Sequence, residues 1–365
     1  MTQKKPVRIC MVGPSLDILG GQAVVAQRLL KRLSTIPSME ICFIPVNPRL
    51  PASLSFLQRV MYVRTVVNLI FYTLSLLRKI PHTEVVHAFS ASYWSFLIAP
   101  VPAMLMGRLF GKHVILNYRS GEADDHLTNW RSAVPLIRLA HEIVVPSDYL
   151  VDVFARHGLK AIAVPNFVET QDLPYRRRDV LRPVFLSNRN FQAHYNVSCI
   201  LRGFAHIQKR MPEAELIVIG DGPLRERLKI ETLALGIRNV DFVGAVPPDQ
   251  MCGFYDKADV YLNTPDIDNM PNSILEASTC GLPIVTTGAG GIPYIVGHAE
   301  TALIIPCNDD EALANAVFRL FDEPGLALHL SDSARTEILS RYTWEVAKAG
   351  WMEVYGVKDM LKFTA

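Results

Sequence analysis

Two α/β domains, each a doubly wound parallel sheet flanked by helices, are predicted by three features of this sequence. Its 365 residues suffice for two cores of ordinary size. Short apolar runs alternate with amphipathic stretches throughout, as they do in parallel βα units. A segment rich in Pro and Arg, NFVETQDLPYRRRDVLRP (166–183), breaks the alternation near the middle and has no period, as a linker would.

In the first half the apolar runs VRICMVG (7–13), EICFIPV (40–46), EVVHAF (84–89), HVILNY (113–118), EIVVPS (142–147) and AIAVP (161–165) read as strands. Amphipathic stretches separate them, beginning with GQAVVAQRLLKRL (21–33). VMYVRTVVNLIFYTLSLL (60–77) is the most apolar stretch, but Arg64 leaves only thirteen uninterrupted residues after it, too few to span a bilayer. With Arg59, Arg64, Arg78 and Lys79 around it, the stretch suits a helix lying against anionic headgroups. A helix buried against a sheet is the alternative.

In the second half the strands are PVFLSN (183–188), AELIVIG (214–220), NVDFVG (239–244), ADVYLNT (258–264), PIVTT (283–287) and TALIIP (301–306). DNMPNSILEASTCGLPIV (268–285) holds a helix that Pro opens and Gly-Leu-Pro closes. Helices at DEALANAVFRLF (310–321), near 326–340, and at TWEVAKAGWMEVY (343–355) end the chain. The expected division is 1–168, a linker at 169–182, 183–342, and a terminal helix at 343–365. Ligands of such sheets bind beyond the carboxyl ends of the strands, so a cleft between two such domains is the expected site.

Composition narrows the function. A net charge of +2 makes no case for a nucleic-acid partner, and Arg176-Arg177-Arg178 reads as a solvated cluster within the linker. The six cysteines, at 10, 42, 199, 252, 280 and 307, lack metal spacing, and several sit in apolar runs. The leading MTQKKPVRICMVG lacks the features of a signal peptide, so a reduced, cytoplasmic setting is expected.

Several loops carry candidate chemistry. After the first strand, Gly20-Gly21 open a helix whose N–H groups suit a phosphate, although a tight turn also uses glycine. The spacing is not G-x-G-x-x-G, which argues against a dinucleotide oxidoreductase. Gly220-Asp221-Gly222-Pro223 repeats the device in the second half, again with a structural turn as the alternative. Arg189, just past the strand PVFLSN, has a fork suited to a diphosphate. Asp266 and Asp268 in PDID have no third ligand nearby in sequence, and no metal is expected. His87, His126, His141 and His194 are candidate bases, each with a structural alternative.

Together these loops resemble family 4 of the retaining, GT-B glycosyltransferases. Residues 183–355 carry the resemblance, through SNRN with Arg189, IGDGPLRERL, NVDFVGAVPPDQMCGFYDKADVYLNT, DNMPNSILEASTCGLPIVTTGAGGIPYIV and YTWEVAKAGWMEVY. GPSLDILGGQAVVAQRLL, EVVHAFS and VPNFVE extend it more loosely into the first half. The resemblance implies two Rossmann-like domains facing a central cleft, with the last helix returning to the first domain. It implies no cofactor or metal, and a nucleotide-diphosphate sugar as donor substrate.

Residue by residue, the resemblance assigns Asp268 and the backbone of Asn269, Met270 and Pro271 to the donor's sugar hydroxyls and phosphate. Glu276 falls to the ribose hydroxyls, and Asn272, Gly222, Gly20, Gly21 and His194 complete the donor set. Carboxylates do pair with vicinal hydroxyls, and N–H groups at a helix start do suit anions. Arg189, Asp268 and Arg119 are the expected catalytic residues. The chain departs from the family twice. His194 stands where a lysine usually follows Arg189, and Arg119 stands where a histidine usually lies beside the reacting sugar. Arg119 cannot act as a base, because it stays protonated.

The expected activity is sugar transfer to a glycan or lipid-linked acceptor in polysaccharide or cell-envelope synthesis, with peripheral contact at the inner membrane face. A nucleotide-sugar 2-epimerase and a catalytically silent sugar-nucleotide-binding protein are the rival readings.

Overall fold

All twelve runs read as strands form strands in the structure, a computed structural model that describes residues 5–16, 20–48 and 61–356. They divide into two parallel sheets. The first contains β1 (Val7–Gly13), β2 (Met39–Pro45), β3 (Val85–Ser90), β4 (His113–Tyr118), β5 (Glu142–Val145) and β6 (Ile162–Ala163), ordered β2-β1-β3-β4-β5-β6. The second contains β7 (Val184–Asn188), β8 (Glu215–Ile219), β9 (Val240–Gly244), β10 (Val260–Asn263), β11 (Ile284–Thr287) and β12 (Leu303–Ile305), ordered β12-β11-β10-β7-β8-β9. Strand order reverses between β1 and β3 in one sheet and between β7 and β10 in the other. Loops at such reversals diverge and leave a crevice, so these are the places where a doubly wound sheet binds ligands.

The apolar runs are continuous because both faces of each sheet are covered. In the second sheet Phe185, Leu216, Val218, Val260 and Leu262 enter one core. Their neighbours Leu186, Ile217, Ile219 and Tyr261 enter the core on the opposite face. This period of two is the strand's own. Truncating one of these side chains, Leu262 for example, should cost about 2–5 kcal/mol.

The chain forms two compact units, Met1–Val164 with Ala349–Ala365, and Pro165–Lys348. The helix Trp344–Val354 therefore begins in the second grouping and ends in the first. In the first unit Trp351 stacks on His87 at 5.0 Å between ring centres.

The expected linker is the main departure. Residues 169–182 belong to the second unit, and Arg178 is buried at 3% exposure rather than solvated. Its guanidinium donates to the carbonyls of Tyr255 (2.6 Å), Ala258 (2.9 and 3.0 Å) and Cys280 (2.7 Å). These carbonyls lie at the C-terminal ends of the helices Met251–Lys257 and Asn272–Thr279, where acceptors are otherwise orphaned and cations are favoured. Arg182 and Arg176 both bind the buried carboxylate of Asp259. Arg176 and Arg178 thus bind helix-end carbonyls, while Arg177 between them stays exposed and pairs with Asp179.

Among the described residues no helix is long and apolar enough to cross a membrane. The helix Met61–Lys79 buries Tyr72 and Leu76 in the first core, yet leaves Val66, Ile70, Leu74 and Leu77 exposed. The face with Tyr72 and Leu76 is the one that the buried-helix reading describes.

Candidate active site

The second sheet's reversal point brings two loops together. Arg189 follows β7 directly, and the loop Thr264–Pro271 follows β10 and enters the helix Asn272–Thr279. Arg189 Nη2 donates to Asp268 Oδ2 at 2.5 Å and Nη1 to Ser273 Oγ at 3.2 Å. Its guanidinium also lies over the Tyr195 ring, 4.0 Å from the centre. Burial alone would lower the Arg189 pKa, but Asp268, Tyr195 and Tyr261 together raise it. Among the described residues Nε is buried and has no acceptor. The group is thus a fixed cation whose Nε–H is unused among the described residues.

Asp268 Oδ1 accepts from the N–H of Asn269 (2.8 Å), so both carboxylate oxygens are engaged. The loop is held from behind. A Cβ on Gly290 would lie 2.1 Å from Asp268 O, and one on Gly291 would lie 2.2 Å from Asn269 O. Gly291 N–H donates to Asp268 O (3.1 Å). On the other side Asn166 Nδ2 donates to Met270 O (3.0 Å) and Asn272 Oδ1 (2.8 Å). Pro271 caps the helix in an extended conformation.

Glu276 is buried and accepts from Tyr255 Oη at 2.8 Å. Tyr255 Oη accepts in turn from Asn188 Nδ2 (2.8 Å), and Asn188 Oδ1 accepts from Tyr261 Oη (2.7 Å). Burial pushes the Tyr261 hydroxyl up to about 12, with Arg189, Ser273, Glu276 and Asp268 all acting on it. One hydroxyl thus lies within the field of Arg189, Asp268 and Glu276, so the three predicted donor residues share one locality.

His194 contributes through its backbone, its carbonyl accepting from Asp266 N–H (2.8 Å) and so joining the β7 loop to the β10 loop. Its ring rests against Tyr195. Asp266 Oδ1 accepts from Asn196 Nδ2 (3.1 Å). Gly222 and Gly220 have the structural explanation left open by the sequence. A Cβ on Gly222 would meet Phe191 O at 2.8 Å, and one on Gly220 would meet Arg189 O at 2.1 Å. These glycines let the β8 loop pack against the Arg189 backbone.

Gly20 and Gly21 differ. Neither has positive φ, and no described atom lies within 4 Å of a Cβ built on either. Gly20 is extended and places no side-chain cap on the helix Gly21–Leu33. Among the described residues nothing requires glycine at either position.

Three candidate bases are withdrawn. His87 lies inside β3, fully buried, and burial holds its pKa down at about 3. His126 is also fully buried and is lowered to about 4, with Nδ1 2.8 Å from Tyr118 Oη. His141 Nδ1 accepts from Val114 N–H (2.9 Å) at the amino end of β4, away from the loops that carry ligands. Arg119, by contrast, directly follows the carboxyl end of β4.

The residues missed by sequence reasoning are Asn166, Tyr255, Asn188, Gly290 and Gly291. Each lies in or beside a phrase already singled out, but its role depends on a partner distant in sequence.

Residues 176–337 match the family described as Glycosyl transferases group 1. A GDP-mannose-dependent alpha-(1-6)-phosphatidylinositol monomannoside mannosyltransferase of Mycolicibacterium smegmatis is 25% identical over 181 residues, covering 47% of each chain. The lipopolysaccharide core biosynthesis glycosyltransferase LpsD of Rhizobium meliloti is 29% identical over 158 residues, covering 42% of this chain and 46% of its own. The chain thus spans about half the length of these curated relatives. Among solved structures, Anabaena HepE in complex with UDP and glucose superposes with a TM-score of 0.74 at 15% identity, covering 96% of this chain and 99% of its own. The fold is GT-B, and the segment 176–337 is similar to the glycosyl transferases group 1 family.

Proposed function

We propose that the protein is a retaining, metal-independent glycosyltransferase of family 4 that moves a sugar from a nucleotide-diphosphate sugar to an acceptor hydroxyl. The observation that carries this reading is the grouping of Arg189, Asp268, Ser273 and Glu276 at the β7–β10 reversal, inside the matched segment. Tyr255 orients the Glu276 carboxylate for the ribose hydroxyls. Asp268, locked by Arg189 and the Asn269 N–H, faces the sugar hydroxyls.

In the reaction the bond from the anomeric carbon to the diphosphate breaks, and its electron pair leaves with the diphosphate. The acceptor oxygen forms the new bond on the same face, and its proton passes to a phosphate oxygen. Such a transition state pairs an oxocarbenium-like sugar with a departing anion. Stabilisation is therefore electrostatic, from Arg189 and from the N–H groups at the start of the helix Asn272–Thr279.

The relatives named for phosphatidylinositol mannoside and lipopolysaccharide core synthesis support a glycan or lipid-linked acceptor in cell-envelope synthesis. The exposed apolar stripe of Met61–Lys79, with Arg64, Arg78 and Lys79 exposed on the same helix, supports a cytoplasmic enzyme working at the inner membrane face. The test is a thermal-shift screen of UDP-, GDP- and ADP-sugars, repeated with Glu276→Ala. The variant should lose most of the stabilisation given by the best donor. An unchanged shift would remove the ribose assignment, and binding without turnover across many acceptors would favour a silent sugar-nucleotide binder.

A further inference from the structure

Among the described residues Arg119 is a cation without a counter-charge. Its Nη1 donates to Asn117 Oδ1 (3.0 Å), whereas Nη2 is buried with no acceptor among the described residues. No carboxylate of the described residues pairs with it. Loss of solvent lowers its pKa to about 9, so it is still charged at neutral pH. A desolvated charge left unpaired is costly, and a fold normally retains one only where a ligand completes it.

The guanidinium is also aimed. Asn117 Nδ2 lies 3.0 Å from His87 Nε2, and His87 Nδ1 lies 2.6 Å from Tyr355 Oη. With the amide N–H on Nε2, that nitrogen accepts, Nδ1 carries the proton and donates to Tyr355, and Asn117 Oδ1 must face Arg119. His87 is stacked between Phe89 and Trp351 and cannot swing away. A second feature lies alongside. Ser90 O accepts both from Arg119 N–H (3.2 Å) and from Gln22 Nε2 (3.0 Å), and Gln22 is the second residue of the helix whose start carries no side-chain cap.

We propose that Arg119, aimed by Asn117, His87 and Tyr355, anchors an oxyanion site of the first unit that takes a phosphate or carboxylate group of a substrate. The proposal deepens the glycosyl-transfer reading and rests on it for the word substrate. The anion comes either from the donor's diphosphate or from an acidic group on the acceptor. Tyr355, His87 and Asn117 are positioning residues.

Calorimetric titration of the full chain with inorganic phosphate, with UDP, and with glucose 6-phosphate in saturating UDP tests the site. Arg119→Gln should raise the phosphate Kd at least tenfold while melting no lower than the parent, since it removes an unpaired charge. A tenfold weaker UDP assigns the anion to the donor. UDP within twofold of the parent, with glucose 6-phosphate weakened tenfold, assigns it to the acceptor. A variant that binds all three ligands as the parent does overturns the proposal. Tyr355→Phe, which keeps the charge and frees the histidine to change tautomer, should raise the phosphate Kd threefold or more. An unchanged value refutes the positioning chain, and decides the matter if Arg119→Gln does not fold. Glu276→Ala in the second unit should weaken UDP but not phosphate, so failure of the donor assignment reads separately from failure of this site.

Discussion

Arg189 and Arg119 each follow a strand at the carboxyl edge of a sheet, yet the two units treat them oppositely. In the second unit Arg189 is paired with Asp268, bonded to Ser273 and stacked on Tyr195. In the first, the guanidinium of Arg119 donates to the neutral amide of Asn117. The difference teaches where each unit's specificity is expected to reside. A charge-balanced arginine keeps its geometry with or without ligand, and favours ligands that exchange hydrogen bonds with it. An unbalanced one favours whatever brings negative charge.

The sharpest way to break this contrast is Asp268→Ala, which turns Arg189 into a second unpaired cation. Removing one partner of a buried pair costs about 3–5 kcal/mol, so the variant should lose that much in urea unfolding and nearly all turnover. Replacing both Arg189 and Asp268 by apolar residues should restore most of the stability and none of the activity. Next in size is Gly290→Ala. Its φ is +53° and its new Cβ would fall on Asp268 O, so the donor loop must move. Stability should fall by more than about 1 kcal/mol, and donor affinity about tenfold, or ~1.4 kcal/mol.

The buried histidines of the first unit sharpen the comparison through pH. His87 and His126 stay neutral when folded, with values lowered to about 3 and about 4, whereas an unfolded histidine titrates near 6.5. Their contribution is therefore complete above about pH 6.5 and is lost as the pH falls, at up to about 1.4 kcal/mol per pH unit for each. His126→Asn should flatten the decline in unfolding free energy between pH 6 and 4. An equally steep decline would show that His126 takes up its proton while folded. The smallest effect expected on stability is at the exposed stripe. Val66→Ser with Ile70→Ser should change unfolding by no more than about 0.5 kcal/mol per site, yet reduce flotation with anionic liposomes. Flotation equal to the parent's would remove membrane contact through this face.

Every strand was legible because buried parallel strands declare themselves as short apolar runs. The positions of Arg189, Asp268 and Glu276 at a strand end, a loop and a helix were legible, whereas their roles were expected only through the resemblance. What the sequence concealed depends on partners remote along the chain. Arg178 looked solvated beside two other arginines, and only the carbonyls of Tyr255, Ala258 and Cys280 give it a buried role. Gly290 and Gly291 show no role in the sequence, and gain one only where the backbone of Asp268 and Asn269 comes against them. His87 was a candidate base with a structural alternative, and burial of its ring within β3 favours the alternative. The helix Met61–Lys79 was half legible, since hydropathy reports how apolar it is but not which face is covered.

The central claim is that Glu276, held by Tyr255, reads the ribose of the same nucleotide whose diphosphate Arg189 meets. Calorimetric titration of the parent and of Glu276→Ala, each with a ribonucleoside diphosphate and its 2′- and 3′-deoxy analogues, tests it directly. The account predicts a ribo-over-deoxy preference of tenfold or more in the parent, collapsing to within twofold in the variant. A variant that keeps the full preference while Arg189→Met still weakens binding would show that another group reads the sugar, and would contradict the assignment.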